Sequence, residues 1–436
     1  MINNIVSIIL ICAFLLSSLF LNAQQRITLD EARVLVLKNS EKAKNALLEI
    51  EVAEENIKTA KTKFLPSVSA SARGFGLTDN VGLALAPQYG GIGDITIEQP
   101  IYLGGKFRAG LDREQIAKQV SEYNKTLDDD DLLYRVEELY WNIVAAEQQI
   151  VVAENYLKSL SILEQNVQNS YDAGLIDKTD LLEVQVAKNR AIYNLEVAKN
   201  FLGLIKLDFA NIIDIDVVDF EVEKSFPPTS ISTNFSNDIK KALNDRVELK
   251  LIEEAIKGKN VESIIIKSDF RPEVAMSIGA QALIAEDNSP SIVSGAAPAL
   301  AFESEQVFGV ALLNVSIPIF NWNQKKSRMK ANALQNEQLV LQKSATEKNI
   351  SLQLLDAINK IDEAMLNLEL SRKSEAQAIE NLRILKDNFE VGRITSDDVL
   401  EGEALLQQSQ LDVINASKQQ QLNYTNYLRT IGTLPN

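Results

Sequence analysis

The sequence contains no histidine and a single cysteine, Cys12. Cys12 lies inside an apolar run at residues 5–21 that ends in Leu21-Asn22-Ala23 before Gln24, the layout of a signal peptide with a small-residue cleavage site. Residues 1–23 are therefore read as a signal peptide, with an uncleaved anchor as the alternative because no Lys or Arg precedes the run. Without Cys12 the mature chain has no disulfide, no Cys or His metal ligand, no Cys nucleophile and no catalytic His. No cofactor and no metal site are expected. Basic residues are the minority, 44 against 60 acidic, and the formal charge of −16 argues against a nucleic-acid partner. Proline is scarce at 10 residues in 436, as is glycine at 18. Ala, Leu, Gln, Glu, Lys and Asn fill the long stretches between them, which suits long helices.

Helical spacing covers most of the chain. A short helix over residues 28–39 precedes a longer one over 40–64. A long helix over about 106–170 carries Leu139, Ile143, Ala146, Ile150, Ala153, Leu157 and Leu160 in alternating four-three steps, the heptad pattern of a coiled coil. The pattern continues over about 180–213. After a Pro-, Ser- and Thr-containing break at 214–236 the order starts again, with a helix over 236–268, a long helix over about 323–388 and a last one over about 397–431. Two structural repeats follow, 24–213 and 237–436, joined by the 214–236 linker.

Two segments keep a period of two instead, and the second half carries a counterpart of each. Val68, Ala70 and Ala72 alternate with Ser67, Ser69, Ser71 and Arg73, and Ile95 and Ile97 alternate with Asp94, Thr96 and Glu98. Strands are expected at about 66–78, 92–102, 272–284 and 306–319. Helices of about 65 residues are on the order of 100 Å long, and the shorter helices of each half add up to a similar length. Membrane barrels start at about eight strands, so four strands would leave open edges. The chain reads as one subunit of a shared barrel, with a soluble sheet packed on helices as the other reading.

The repeat is sharpest at two turns. YDAGLIDKTDLL at 171–182 and FEVGRITSDDVL at 389–400 lie 218 residues apart and align Gly174 with Gly392, Asp180 with Asp398 and Leu182 with Leu400. Each glycine follows the last periodic apolar residue, where a helix can end in a left-handed conformation. Asp177 and Thr395 then stand three residues before Asp180 and Asp398, the capping-box spacing. Asp398 and Glu401 share one face of a helix, so symmetry-related copies would form stacked carboxylate rings selective for cations. The acidic run at 128–131 reads as a solvated or tunnel-facing band, and Trp141 and Trp322 as packing or interfacial aromatics.

The TLDEA opening followed by LKNS, the ALNDRVEL stretch at 242–249, the paired Phe-x-Pro strand starts, PIYLGGK, PIFNWNQ and the twin G-x-x-x-x-x-D-x-L turns occur in one order. Together they resemble the TolC-like outer-membrane efflux protein family over nearly the whole mature chain. The resemblance implies a mainly α fold with a small β part. In such a fold, three chains supply twelve strands to an outer-membrane barrel and twelve helices to a periplasmic coiled-coil tunnel. It implies a passive exit duct of a tripartite efflux or type I secretion system, not an enzyme, in the outer membrane of a Gram-negative-type cell. The implied partners are two further copies of the chain, a periplasmic adaptor (membrane fusion) protein, an inner-membrane transporter and outer-membrane lipid. By the same resemblance Asp180, Phe389, Ile394, Asp398 and Glu401 belong to the periplasmic gate. Gly174, Leu175, Gly392 and Arg393 are adaptor-facing tip residues, although the glycines also read as plain helix caps. Phe389 and Ile394 stand where relatives carry Tyr and Arg, and Asp214 where the first half often ends in Gly. A periplasmic coiled-coil scaffold without channel activity is the alternative function.

Overall fold

A computed structural model describes residues 25–76, 89–216, 220–227, 233–286 and 305–434. The expected signal peptide lies outside the described residues. In chain order the elements are β1 (Gln25–Arg26), α1 (Leu29–Asn39), α2 (Glu41–Thr62), β2 (Ser67–Gly76), β3 (Tyr89–Leu103), α3 (Lys106–Asp172) and α4 (Lys178–Ile212). They continue with β4 (Phe220–Glu221), α5 (Phe235–Asp245), α6 (Val247–Ser268), β5 (Glu273–Glu286), β6 (Glu305–Ser316), α7 (Gln324–Glu390) and α8 (Ser396–Thr430). The repeat holds residue for residue in the helices: α1 and α5 have 11 residues, α2 and α6 have 22, α3 and α7 have 67, and α4 and α8 have 35.

One expected helix is divided. The spacing over 236–268 carries no Pro, yet the backbone turns extended at Arg246 (φ −60°, ψ 123°) and splits the segment into α5 and α6. Ser40 makes the same break between α1 and α2 (φ −61°, ψ 143°). Arg246 is held there by donating to the Thr430 carbonyl at 3.4 Å and to Gln353 at 3.1 Å. The left-handed residue that ends α8, Gly432 (φ 71°), has its counterpart 218 residues earlier in Asp214 (φ 54°). A side chain there costs about 1–2 kcal/mol of backbone strain, and its carboxylate pairs with Lys44 at 3.3 Å.

The chain forms two compact units. The first, residues up to 46 with 125–247 and 347–436, holds the parallel β1–β4 pair and most of the coiled-coil core. The TLDEA opening caps α1: Thr28 accepts from the Glu31 N–H, and Glu31 accepts from the Thr28 N–H at 2.9 Å. Around it Ile27, Val36, Leu133, Val136, Tyr140, Ile143, Phe209, Ile213 and Phe220 are buried together. The heptad residues Ile350, Leu354, Ala357, Ile361, Ala364 and Leu368 of α7 are all buried. Buried in the same unit, Glu137 accepts from the Arg33 Nη2 at 2.6 Å, the Arg33 Nε at 2.9 Å and the Thr425 hydroxyl.

The second unit, 47–124 with 248–346, contains the four-stranded sheet in the order β2-β3-β5-β6, every pair antiparallel. Directly opposed residues share a face. One face carries the row Val68, Ile97, Ile278, Ala311 and the row Ala70, Ile95, Ala280, Gly309. The other carries Ser67, Glu98, Ser277, Leu312 and Ser71, Asp94, Gln281, Phe308, with Ser71 donating to Asp94. Val68, Ile95, Ile97, Ile278, Leu313 and Val315 are exposed on the apolar face, and among the described residues β2 and β6 have open edges. Between strand and helix, Gly104 (φ 62°) and Gly105 (φ 94°) make a left-handed pair, and the Gly104 carbonyl accepts from Arg271 at 2.8 Å. Asp269 anchors the junction by pairing with Lys106 at 3.0 Å and Arg328 at 2.8 Å.

Candidate functional site

The two turns fold as their sequences dictate. Gly174 and Gly392 sit at φ 71° and 70°. The Leu175 N–H reaches the Ser170 carbonyl and the Arg393 N–H reaches the Asn388 carbonyl, each at 2.9 Å, while each glycine N–H bonds the carbonyl three residues before it. This is the Schellman ending. A Cβ on either glycine would meet nothing within 4 Å, so the cost of a side chain is conformational alone. Gly392→Ala is expected to lower stability by about 1 kcal/mol, measured as a shift of the thermal or denaturant midpoint without loss of helix signal.

The capping-box spacing is used in one turn and not in the other. Asp398 accepts from the Thr395 N–H and the Thr395 hydroxyl, both at 2.9 Å, and these bonds hold its carboxyl below the usual range. A lowered carboxyl stabilises the folded state above its unfolded value of about 4 and loses that contribution as pH falls through the lowered one. Asp177, in the first turn, makes no side-chain cap bond.

Gate and tip residues separate by exposure. Phe389 and Ile394 are half-buried against Leu163, Val167, Leu181, Val184, Leu382 and Val399, together with Ile176. Apolar packing thus surrounds the two positions that depart from the family pattern. Asp398 and Glu401 are exposed one turn apart at the start of α8, and Asp180 is half-buried at the start of α4. Gly174, Leu175, Gly392 and Arg393 are exposed at the turns. An open groove of about 390 Å³ lies along the first turns of α4 and α8, lined by Leu182, Val186, Arg190, Asp397 and Leu400.

Periodicity did not reveal the buried Glu403. It is 4% exposed, pairs with Lys386 at 2.6 Å and accepts from the Ser159 hydroxyl, which in turn accepts from Lys386 at 3.1 Å. Burial, then the Glu403 charge, raises the Tyr156 hydroxyl beside it. The available signal was Gly402, a glycine within a helix: its Cβ would stand 2.6 Å from Leu385 Cδ1, so α8 approaches α7 closely there. The acidic run at 128–131 is more engaged than a solvated band. Lys42 pairs with Asp128 at 2.8 Å and with Asp131, Arg429 pairs with Asp131, and Lys125 with Asp129.

The described residues thus combine long helices in a duplicated order, joined by tight glycine turns, with a four-stranded amphipathic sheet. The model for the outer membrane efflux protein family matches residues 32–200 and 268–433, and the chain belongs to that family. No curated protein matches it. Among solved structures, the Campylobacter jejuni CmeC outer membrane channel superposes with a TM-score of 0.76 at 15% identity, covering 93% of this chain and 85% of that one. VceC, an outer membrane protein of Vibrio cholerae, gives 0.72 at 14% identity, covering 93% and 96%. The open state of the Neisseria gonorrhoeae MtrE outer membrane channel gives 0.73 at 14% identity, covering 93% and 89%. At these identities the likeness concerns the fold. The family places the chain among outer-membrane transport ducts and not among enzymes.

Proposed function

We propose that the chain is one protomer of a trimeric outer-membrane exit duct that conducts cargo passively from a periplasmic adaptor and an inner-membrane transporter. The observation that carries this reading is the sheet: four strands, one exposed apolar face, an opposite face that is mainly polar on β2, β3 and β5, and two edges open among the described residues. Three such sheets joined edge to edge give twelve strands, above the minimum of about eight for a closed barrel. Lipid then covers the apolar face and water the polar one. The exposed turns and the groove beside Leu182 and Leu400, with Arg190 and Asp397 at its margins, suit a docking adaptor. Opening of the turn end is a rearrangement of packed helices, held shut in this chain by the apolar contacts of Phe389 and Ile394.

Purified protein is expected to form discrete, ion-conducting channels in planar bilayers and to cross-link as a trimer. Detergent-independent solubility with no conductance would instead support a periplasmic coiled-coil scaffold. Asp398 and Glu401 in threefold array make the closed entrance cation-selective. Replacing both with alanine is expected to bring the cation-to-anion permeability ratio close to one, and an unchanged reversal potential would remove them from the filter.

A further inference from the structure

The junction between β6 and α7 carries two features that the fold itself does not require. The first is aromatic. Ile319 is 93% exposed, Trp322 87%, and Phe320 is also exposed, with the Phe320 and Trp322 rings edge to face at 4.9 Å. Trp322 (φ 43°) and Asn323 (φ 60°) hold the left-handed conformation that Gly104 and Gly105 supply 218 residues earlier. At position 104 no side chain fits, because a Cβ would stand 2.8 Å from Arg271 Cβ and 3.0 Å from the Ser268 carbonyl. Position 322 is open, and a bulky indole occupies it in a conformation that glycine adopts at less cost.

The second feature is charge. α7 begins QKKSRMK, and residues 324–336 contain no acid in a chain of net charge −16. Four cations within the first two turns oppose the helix dipole, so helix stability does not explain them. Arg328 is engaged by Asp269 and lies over the Phe270 ring. Lys325, Lys326 and Lys330 are exposed and form no ion pair among the described residues.

From this juxtaposition we infer that the β6–α7 junction binds anionic phospholipid headgroups of the periplasm-facing leaflet. Phe320 and Trp322 sit at the interface, and Lys325, Lys326 and Lys330 take the phosphate charge. Aromatic residues favour the headgroup level, and unpaired lysines beside an inserted apolar patch recruit anionic lipid. The patch is continuous with the exposed apolar residues Leu313, Val315 and Ile317. The inference rests on the outer-membrane reading.

The test uses full-length protein reconstituted in vesicles of phosphatidylcholine with or without phosphatidylglycerol, with conductance recorded in parallel. The chain has two tryptophans, and Trp141 is buried, so wild-type minus Trp322→Phe emission isolates Trp322. That difference signal is expected to be quenched by lipids brominated near the headgroup, and more strongly by brominated phosphatidylglycerol than by brominated phosphatidylcholine. The Lys325→Gln/Lys326→Gln/Lys330→Gln variant is expected to lose that preference, at about fivefold per lysine. Conducting channels whose Trp322 is not quenched would place it under protein, such as a second copy, and overturn the inference. So would a lipid preference unchanged by the triple variant. Failure to insert or conduct would instead sink the outer-membrane reading, and this inference with it.

Discussion

Replacing Arg33 with methionine is expected to destabilise the first unit by about 3–5 kcal/mol, the effect of leaving a buried charge without its partner. Glu137 is 2% exposed and receives two guanidinium bonds from Arg33 and the Thr425 hydroxyl. Methionine keeps the apolar stem and removes both charged donors. The double variant Arg33→Met/Glu137→Gln is expected to recover much of the loss, because a neutral amide no longer needs a cation. The comparison is Arg383→Met, which removes exposed, solvent-screened pairs with Glu380 and Asp387, a change expected to shift the midpoint far less. Denaturant midpoints at matched chain concentration, followed through Trp141 in the same core, check both. Equal shifts for Arg33→Met and Arg383→Met would show that the buried pair carries no special weight.

Gly104→Ala is the second large effect, at about 3 kcal/mol. About 1–2 kcal/mol arises from forcing an L-residue into the left-handed region, and overpacking adds about 1–3 kcal/mol. The overpacking is stiff, since the atoms a Cβ would meet include Ser268 backbone. Trp322→Gly, at the matching position of the second repeat, is expected to change stability by less than about 1 kcal/mol, because relief of backbone strain offsets the added freedom of glycine in the unfolded chain. Thermal midpoints of the two variants should therefore separate clearly. Similar midpoints would mean that the two junctions share the same packing.

The parts of this fold legible in the sequence are those governed by apolar periodicity. Leu354, Ala357 and Ile361 announce their burial by spacing, Ile95 and Ile97 their shared face, and Gly392 its left-handed turn. Polar decisions were hidden. Nothing local marks Glu137 as buried, because its partner Arg33 lies 104 residues away, and for Glu403, paired with Lys386 across the turn, the one local signal is the adjacent Gly402. The break at Arg246 has neither proline nor glycine to signal it, and its side chain is anchored on Thr430 and Gln353. The two-residue β1–β4 pair is too short to carry any period. At the candidate site, the Asp398 cap could be read from its spacing to Thr395, whereas the same spacing at Asp177 yields no side-chain cap bond.

In the trimeric duct proposed above, the two sheet edges left open among the described residues make maturation a matter of chain concentration. An isolated copy can complete its helices alone, since their hydrogen bonds are internal to each segment. The backbone donors and acceptors along the outer sides of β2 and β6 have no partner within the described residues, and bare edges are templates for off-pathway pairing. On that proposal the last step of folding is an encounter between molecules, with a rate that rises with the number of copies present. A cell that makes too few at once leaves each one exposed to mispairing for longer.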